Sequence, residues 1–172
     1  WGDCGILKSF RDWAYARGET IRATTSFLLA GETTPDGDYI REQVDPKKTD
    51  CWNGKAYTPL NQLTPGRTKY GTNNNARIFR YADVLLMNGD APFNEVRRRA
   101  KMPELTNVTF QQVIDERRME LVCEWGERYN DLVRTGLAKT ELKGWSEDKA
   151  LLPLPFNQYT QIPDLLKEPK DE

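Results

Sequence analysis

The sequence predicts a mainly α fold that carries a loop-rich, partly β insertion. The strongest sign is the stretch 109–136, where Thr109 and Gln112 form a capping box and apolar residues then recur at helical spacing. Two shorter helical faces precede it between residues 78 and 100. From residue 31 to residue 75 no period is sustained, and Gly, Pro, Asn, Asp and Thr dominate, which is typical of connecting segments.

The first thirty residues predict a helix followed by an extended segment. Apolar side chains before residue 17 have the spacing of one helix face, at Ile6, Leu7, Phe10, Trp13 and Ala14. Gly18 is expected to end this short amphipathic helix. Residues 20–29 then alternate loosely and are rich in β-branched side chains, which favours a strand.

The segment 31–75 is predicted to be an ordered, elaborated loop region that could include a β-hairpin. Turn signals interrupt it, among them Pro35-Asp36-Gly37 and Asn53-Gly54. A disordered segment would be poor in aromatic residues, yet aromatic side chains are spread through this one, at Tyr39, Trp52, Tyr57 and Tyr70.

Two short helices are predicted next, and then a long one. Apolar faces lie at Ile78, Tyr81, Ala82, Leu85 and Leu86, and again at Phe93, Val96 and Ala100. Packed against a helix over 110–135, such a pair is similar to a tetratricopeptide hairpin.

The helix over 110–135 is expected to be sandwiched between neighbours because it is apolar on two sides. One side carries Phe110, Val113, Ile114, Leu121 and Trp125, and the other carries Met119, Val122 and Cys123. Cys123 is interpreted as a small core residue. Gly126 should kink the helix or admit another backbone, and Gly136 should end it.

A stripe of carboxylates runs along the same helix at Glu116, Glu120 and Glu124. Like charges at this spacing destabilise a helix by roughly 0.2–0.5 kcal/mol per pair, so cations must neutralise them. Arg117, Arg118 and Arg128 can contribute locally, and the partners expected across a helix interface are Arg80 and Arg97–Arg99. We therefore assign a structural ion-pair network to Arg80, Asp83, Glu116, Arg117, Glu120, Glu124, Arg128 and Asp131.

A catalytic use of this stripe is the less favoured alternative. Paired carboxylates hydrolyse glycosides when they flank a substrate in a cleft, whereas these lie in an apolar helix with many arginines nearby. The same cations make a carboxylate metal site unfavourable.

Composition excludes several other classes of function. The net charge is −1, which argues against a nucleic-acid-binding protein. The chain has no His, so zinc sites and His-based catalysis are not expected, and we predict no cofactor, no metal and no catalytic residue. No apolar run approaches a membrane span of about 20 residues. An exported protein would allow a disulfide between Cys4 and Cys51, and the sequence does not decide whether it forms.

Several blocks of residues resemble a known family. They are RYADVLLM at 80–87, NEVRRRA at 94–100, ERRMEL at 116–121, the residues Glu124, Gly126, Arg128-Tyr129 and DLVR at 131–134, and the closing segments 151–156 and 162–166. Together they resemble the C-terminal signature of the SusD/RagB family. The resemblance is clearest over residues 76–166 and loose over residues 1–75.

The resemblance implies a non-enzymatic, nutrient-binding lipoprotein at the cell surface of Bacteroidota, on the outer membrane. It implies an α-α superhelix in which residues 1–75 and 76–172 are parts of one domain. It also implies that the chain is a fragment of a longer protein. The implied partners are an oligosaccharide or another nutrient and a SusC-like TonB-dependent transporter, and the lipid anchor would lie outside this segment.

The chain departs from the family between Met87 and Phe93, where it reads only Asn-Gly-Asp-Ala-Pro. The family carries a longer helix end and loop there. Either the loop is short in this chain, or residues are missing between Ala91 and Pro92, and we favour the second explanation.

The aromatic residues of the loop region are the candidates for ligand binding. Sugar rings stack on Trp and Tyr, while their hydroxyls need neighbouring polar groups. The residues that offer this mixture are Tyr39, Trp52, Asn53, Tyr57 and Tyr70, within a ligand-facing segment 1–75. Other hypotheses are a peptide-binding family member, a helical-repeat module that binds protein, and a carboxylate-dependent glycoside hydrolase.

Overall fold

The computed structural model describes residues 5–41, 51–65, 77–125, 127–151, 158 and 161. The chain divides into two units, residues 1–128 and residues 129–172. The elements are α1 (Lys8–Ala16), α2 (Ile21–Ser26), β1 (Phe27–Leu29), β2 (Cys51–Asn53), α3 (Tyr81–Leu85), α4 (Asp90–Arg99), α5 (Phe110–Glu120), α6 (Glu127–Arg134) and α7 (Ala138–Glu141). Single 3₁₀ turns lie at Gly54–Ala56, Leu60–Gln62 and Glu147–Ala150. The predicted mainly α fold with a small β part is confirmed.

Some of the predicted features fall on residues outside those that the structure describes. They are Cys4 with its disulfide, Tyr70, Gly126, and the closing segments 152–157 and 162–172. No helix in the described part of the chain has both the length and the apolar character that crossing a membrane requires.

The amphipathic helix predicted at the start of the chain is α1. Ala14 is buried, and Phe10 and Trp13 pack at the edge of the same apolar cluster. Gly18 follows the helix with φ +89°, a left-handed conformation that glycine adopts without steric cost.

The strand predicted over 20–29 is wrong for most of its length, because residues 21–26 form α2 and only Phe27–Leu29 are extended. The hydroxyls of Thr24 and Thr25 donate to the Ile21 carbonyl at 2.9 and 3.3 Å. Threonine can use its hydroxyl in this way inside a helix, so its β-branched shape does not dictate a strand here.

The small sheet joins the end of α2 to the loop region. β1 and β2 pair antiparallel, with Phe27 opposite Asn53 and Leu29 opposite Cys51. The predicted β content is therefore present, but one of its strands comes from before the insertion. After β2 the backbone passes so close to α2 that a Cβ on Gly54 would lie 2.1 Å from the Thr25 carbonyl oxygen.

Two apolar clusters hold the first unit, one on each side of α5. Met119 joins the first cluster, which consists of Ile6, Ala14, Ala23, Phe27, Cys51 and Met119. Val113 packs against the second, which consists of Ala82, Leu86, Phe93 and Val96. The pair α3 and α4 thus packs against α5, and α5 is sandwiched, as the sequence predicts.

α3 is shorter than its predicted apolar face. Ala82 and Leu86 are buried, whereas Ile78 and Tyr81 are exposed. α4 begins at Asp90, after Gly89 with φ +73°, and passes through Ala91 and Pro92. A short turn therefore connects the two helices in this chain, and the missing segment between Ala91 and Pro92 stays a prediction.

The single helix predicted over 110–135 is wrong: α5 ends at Glu120 and α6 begins at Glu127. The capping box at Thr109 and Gln112 is present as predicted. Cys123 and Trp125 adopt left-handed conformations, with φ of +58° and +30°. Both are exposed, so the interpretation of Cys123 as a core residue is also wrong.

Side chains from earlier in the chain explain why α5 stops. In a continuing helix the Glu120 carbonyl would accept the amide of Glu124. Here it accepts Arg80 Nη2 at 2.7 Å and Lys55 Nζ at 2.9 Å, and the Glu124 amide donates to the Leu121 carbonyl instead. Two cations therefore cap the C-terminal end of α5, where the helix dipole is negative.

In the second unit, α6 ends before Gly136, which has φ +74° and is the predicted stop. Asp131 and Leu132 are buried on α6, and Ala138 is buried on α7. The Tyr129 hydroxyl donates to the Lys149 carbonyl, which fixes the 3₁₀ turn that contains Lys149.

Candidate functional site

The carboxylate stripe of α5 faces the interior of the first unit. Glu116 is 0% exposed, Glu120 is also buried, and Glu124 is partly buried. Around them lies a set of charged side chains that we call the α5 charge cluster, and its members are Arg17, Glu19, Arg22, Lys55, Arg80, Arg97, Arg99, Glu116, Glu120 and Glu124.

Among the described residues, Glu116 contacts three arginines, which lie at the end of α1, in α2 and in α4. Arg17 Nη2 and Arg97 Nη1 lie 2.7 and 2.6 Å from its Oε2, and Arg22 Nη1 lies 2.6 Å from its Oε1. Burial raises the pKa of Glu116, but the charges of Arg22, Arg17 and Arg97 outweigh burial, so its pKa lies below the ordinary value. Glu116 is therefore an anion that joins α1, α2 and α4 to α5.

Glu120 is paired from the other side. Its Oε1 lies 2.8 Å from Arg80 Nη1 and also pairs with Arg99, and its Oε2 lies 3.2 Å from Arg22 Nη1. Burial raises the pKa of Glu120, but the hydrogen bonds and charges of Arg99 and Arg80 lower it by more, so the net shift is downward. Glu124, at the end of the stripe, pairs with Arg80 Nε at 2.7 Å and Lys55 Nζ at 3.0 Å.

Arg22 is the central cation of the α5 charge cluster. Glu19 accepts two hydrogen bonds from it, from Nε at 2.9 Å and from Nη2 at 2.5 Å, while Nη1 faces Glu116 and Glu120. Burial lowers the pKa of Arg22, but Glu19 and Glu116 raise it by more, so its pKa lies above the ordinary value. This geometry uses the planar fork of the guanidinium on both edges.

The predicted network also includes residues that lie outside the α5 charge cluster. Arg117 pairs with Asp83, and Asp131 pairs with Arg134 at 2.7 Å within the second unit. Arg118 contacts aromatic rings, because its guanidinium lies over Phe10 and Trp13, 5.2 and 4.5 Å from their ring centroids. Arg98 faces outward to Glu104 at 3.4 Å, and Arg128 lies half-buried in α6.

This arrangement does not suit acid–base catalysis. A glycosidase needs one carboxyl whose pKa is raised so that it can donate a proton. The two buried carboxyls of the stripe, Glu116 and Glu120, have lowered pKa values and face guanidinium groups rather than a cleft. The cluster therefore fixes the relative positions of the elements that meet there.

A second polar cluster holds the loop at residues 31–40. The Asp38 carboxylate accepts the Tyr57 hydroxyl at 2.5 Å and the Leu60 amide at 2.8 Å, and the Thr34 hydroxyl lies 3.1 Å from the Tyr57 hydroxyl. Partial burial and the hydrogen bond to Asp38 raise the pKa of Tyr57 above its ordinary value. These contacts tie the 31–40 loop to the segment 57–60.

A groove of about 290 Å³ opens beside this loop. The described residues that line it come from α1, α2, β1 and the loop itself, and they are Tyr15, Thr24, Phe27, Leu28, Leu29, Glu32, Thr33, Thr34, Pro35 and Ile40. We call it the Tyr15 groove. Its walls combine aromatic, aliphatic and hydroxyl-bearing side chains with one carboxylate.

The fold and these contacts can be set beside known proteins. The sequence model described as the SusD family matches residues 6–150. The chain belongs to the SusD family. SusD-like protein P38 of Formosa agariphila is 29% identical to it, over 53% of this chain and 24% of the relative.

Solved structures agree with this family and its helical fold. Surface glycan-binding protein A from Bacteroides thetaiotaomicron superposes with a TM-score of 0.75 at 28% identity, covering 97% of this chain and 41% of that protein. Surface glycan-binding protein A from Bacteroides uniformis gives a TM-score of 0.69 at 23% identity, covering 94% and 40%, and shows the fold alone. The predicted tetratricopeptide-like, SusD-like helical layer is confirmed. The SusD-family chain spans about a quarter of the curated relative and two-fifths of each structure.

The structure places the predicted ligand residues of this SusD-family chain in different settings. Tyr39 is 60% exposed, whereas Trp52 is half-buried and its Nε1 donates to the Arg41 carbonyl at 3.4 Å. The Asn53 side chain accepts the Lys55 amide at 2.8 Å, and the Tyr57 hydroxyl bonds Asp38, so both have internal partners. Their role towards a ligand stays a prediction.

Sequence reasoning missed Arg17, Glu19, Arg22 and Lys55 in the charge cluster and Tyr15 in the groove. The spacing of Glu19 and Arg22 suits an ion pair on a helix, but no helix was considered there because a strand was expected over 20–29. Tyr15 lies off the apolar face of α1, and an aromatic residue in that position is the signal that could have found it.

Proposed function

We propose that this SusD-family chain is part of a non-catalytic protein that binds glycans at the cell surface. The observation that supports this most is the superposition of 97% of the chain on a protein named as a surface glycan-binding protein, at 28% identity. Binding would use stacking and hydrogen bonds, with no covalent step.

The proposal extends to the setting of the whole protein. The bound oligosaccharide would be delivered to a SusC-like TonB-dependent transporter in the outer membrane of a member of the Bacteroidota. A lipid anchor outside this segment would hold the protein at the membrane. The family resemblance supports each of these statements.

Within the chain, the loop-rich side is the proposed ligand-facing region. The α5 charge cluster anchors this side to α5. Lys55, which follows β2, pairs with Glu124, and Arg22 of α2 pairs with Glu116. A rigid support of this kind lowers the entropy that a binding surface loses on association. Recognition and support would thus be carried by different residues.

Isothermal titration against soluble oligosaccharides tests the proposed function. The panel should contain neutral xylo-, malto-, cello- and fructo-oligosaccharides and anionic oligogalacturonides, with short peptides as the comparison class. We expect saturable binding of at least one saccharide and no release of reducing ends during incubation. Binding of peptides with silence towards every saccharide would favour a peptide-binding family member, and turnover would favour a hydrolase.

Substitutions of the loop aromatics then test the predicted residues. Tyr39→Ala and Trp52→Ala are expected to weaken saccharide binding several-fold, because stacked rings carry much of the binding energy at such sites. Tyr81→Ala is the matched control, since Tyr81 is an exposed tyrosine of α3. Equal effects of all three substitutions would show that the loop aromatics have no special part in binding.

A further inference from the structure

The Tyr15 groove has a rigid aromatic wall. The Tyr15 side chain is about half exposed, at 45%, but it meets Phe27 edge-to-face with ring centroids 6.0 Å apart. Phe27 is itself buried in the apolar cluster around α5. A ring that is open on one side and fixed on the other is a stacking surface that needs little ordering when a ligand arrives.

The 31–40 loop, which also lines the groove, is formed in advance as well. Gly31 donates to the Ile40 carbonyl at 2.8 Å, and Ile40 donates to the Glu32 carbonyl at 2.8 Å. Asp38 connects the same loop to Tyr57 and the Leu60 amide. The backbone of this wall is therefore held by its own hydrogen bonds rather than by a ligand.

The polar groups of the groove include hydrogen-bond acceptors. Thr24 donates its hydroxyl proton to the Ile21 carbonyl, so its oxygen is left to accept. Glu32 is exposed at the groove and contributes a carboxylate, and Thr33 is exposed beside it. Sugar hydroxyls can both donate and accept hydrogen bonds, so their protons match these acceptors while an apolar face of the sugar stacks on the aromatic ring.

The charge of the groove restricts what it can hold. Glu32 is the one formally charged side chain among the described residues that line it. An anionic sugar, such as a uronate or a sulfated ring, would place like charges together, which costs affinity. The volume of about 290 Å³ lies just below the roughly 300–1,000 Å³ range of ligand pockets, so a short stretch of saccharide fits it better than a long chain.

We infer that the Tyr15 groove is a subsite for one or two neutral sugar units of the bound glycan, with Tyr15 as the stacking ring and Glu32 as the residue that selects against anionic sugars. The inference rests on the proposed function and adds to it a location and a ligand class. It also assigns a binding role to α1, in which sequence reasoning names no ligand residue.

Titration of the whole chain with the same saccharide panel tests this inference. Tyr15→Ala is expected to weaken binding of the neutral oligosaccharide by about tenfold or more, since it removes the stacking ring. Tyr15→Phe keeps the ring and its contact with Phe27, and should stay within about twofold of the unmodified chain. Tyr81→Ala, at an exposed tyrosine outside the groove, should also stay within about twofold.

Glu32→Lys tests the selection by charge without touching the apolar cluster. It should raise the affinity for oligogalacturonides relative to neutral oligosaccharides by about tenfold, because it replaces repulsion with attraction at the rim. Circular dichroism of each variant shows whether the fold is retained. If Tyr15→Ala does not fold, Glu32→Lys still decides the question.

The outcomes separate the inference from the proposed function. Saccharide binding that is unchanged in both Tyr15→Ala and Glu32→Lys overturns the groove assignment and leaves glycan binding standing. Preference of the unmodified chain for oligogalacturonides overturns the selection for neutral sugars. Silence towards the whole saccharide panel overturns the proposed function, and the groove assignment with it.

Discussion

The α5 charge cluster and the 31–40 loop both connect distant parts of the chain by polar contacts, but they do so in different surroundings. In the cluster, ionised side chains from four elements meet where Glu116 has no exposure to solvent. In the loop, contacts are made by backbone amides, two hydroxyls and the Asp38 carboxylate, partly in reach of water.

This difference predicts which parts of the chain tolerate substitution without losing stability. A buried charge that loses its partner keeps the full cost of desolvation, whereas a partly solvated hydrogen bond that is lost is replaced by water. Substitutions in the cluster should therefore affect stability strongly. Substitutions in the loop should affect stability weakly, which leaves its side chains available for recognition.

The strongest test of this comparison is Glu116→Ala. We expect a loss of about 3–5 kcal/mol in the free energy of unfolding, because three arginines would lose their shared anion inside the first unit. Glu120→Ala should fall near the lower end of the same range. Urea unfolding followed by circular dichroism measures both.

Glu104→Ala is the matched control for these two substitutions. Glu104 pairs with Arg98 at 3.4 Å, but both side chains are more than half exposed. We expect a change of about 0–1 kcal/mol, as is usual for surface ion pairs. A loss at Glu116 no larger than the loss at Glu104 would contradict the idea that burial sets the cost.

The dependence of stability on pH sharpens the comparison further. The folded-state pKa values of Glu116 and Glu120 lie below the ordinary 4.5, so the folded chain binds fewer protons than the unfolded chain near that pH. Their contribution to stability is complete above pH 4.5 and is lost as the pH falls through the lowered values. Urea midpoints between pH 3 and 7 should fall on acidification, and the fall should be shallower in Glu120→Gln.

Gly54→Ala tests the close packing between α2 and the backbone that follows β2. Its Cβ would lie 2.1 Å from a backbone oxygen of Thr25, so we expect a loss of about 1–3 kcal/mol from the forced shift. Gly18→Ala is the control, because Gly18 has open space around it and carries only the cost of its positive φ. Equal stability of Gly54→Ala and the unmodified chain would show that the backbone at this contact shifts at little cost.

The smallest effect is expected for Tyr57→Phe. It removes the hydroxyl that bonds Asp38 and Thr34 but keeps the ring, which should lower stability by about 1 kcal/mol. Tyr39→Phe, at an exposed hydroxyl, should change stability by less than about 0.5 kcal/mol. A loss of 3 kcal/mol or more at Tyr57 would place the loop in the same class as the charge cluster.

Local signals of the sequence predicted much of the fold. α1, the pair α3 and α4, and the capped start of α5 each follow from a helical face or a cap within a few residues. The like-charged stripe required cations, and Arg80, Arg97 and Arg99 are among those that the structure supplies.

The parts that sequence reasoning missed depend on contacts between distant residues. α2 is a helix although its threonines favour a strand, and Arg22 in it bonds residues almost a hundred positions later. The end of α5 depends on Arg80 and Lys55, which cap it from elements of their own. The Tyr15 groove likewise needs the 31–40 loop placed beside α1, which no local pattern predicts.

The order of charges along the chain has a consequence for synthesis. Arg17, Arg22, Arg80 and Arg97 precede Glu116 and Glu120 in the chain, so they are synthesised before their shared anions. Until then the interior holds several cations without their shared anions, so the nascent chain cannot close around them at low cost. The first unit should therefore complete its folding late, when α5 emerges, and a ribosome stalled shortly before residue 110 should present a chain that proteases still cut.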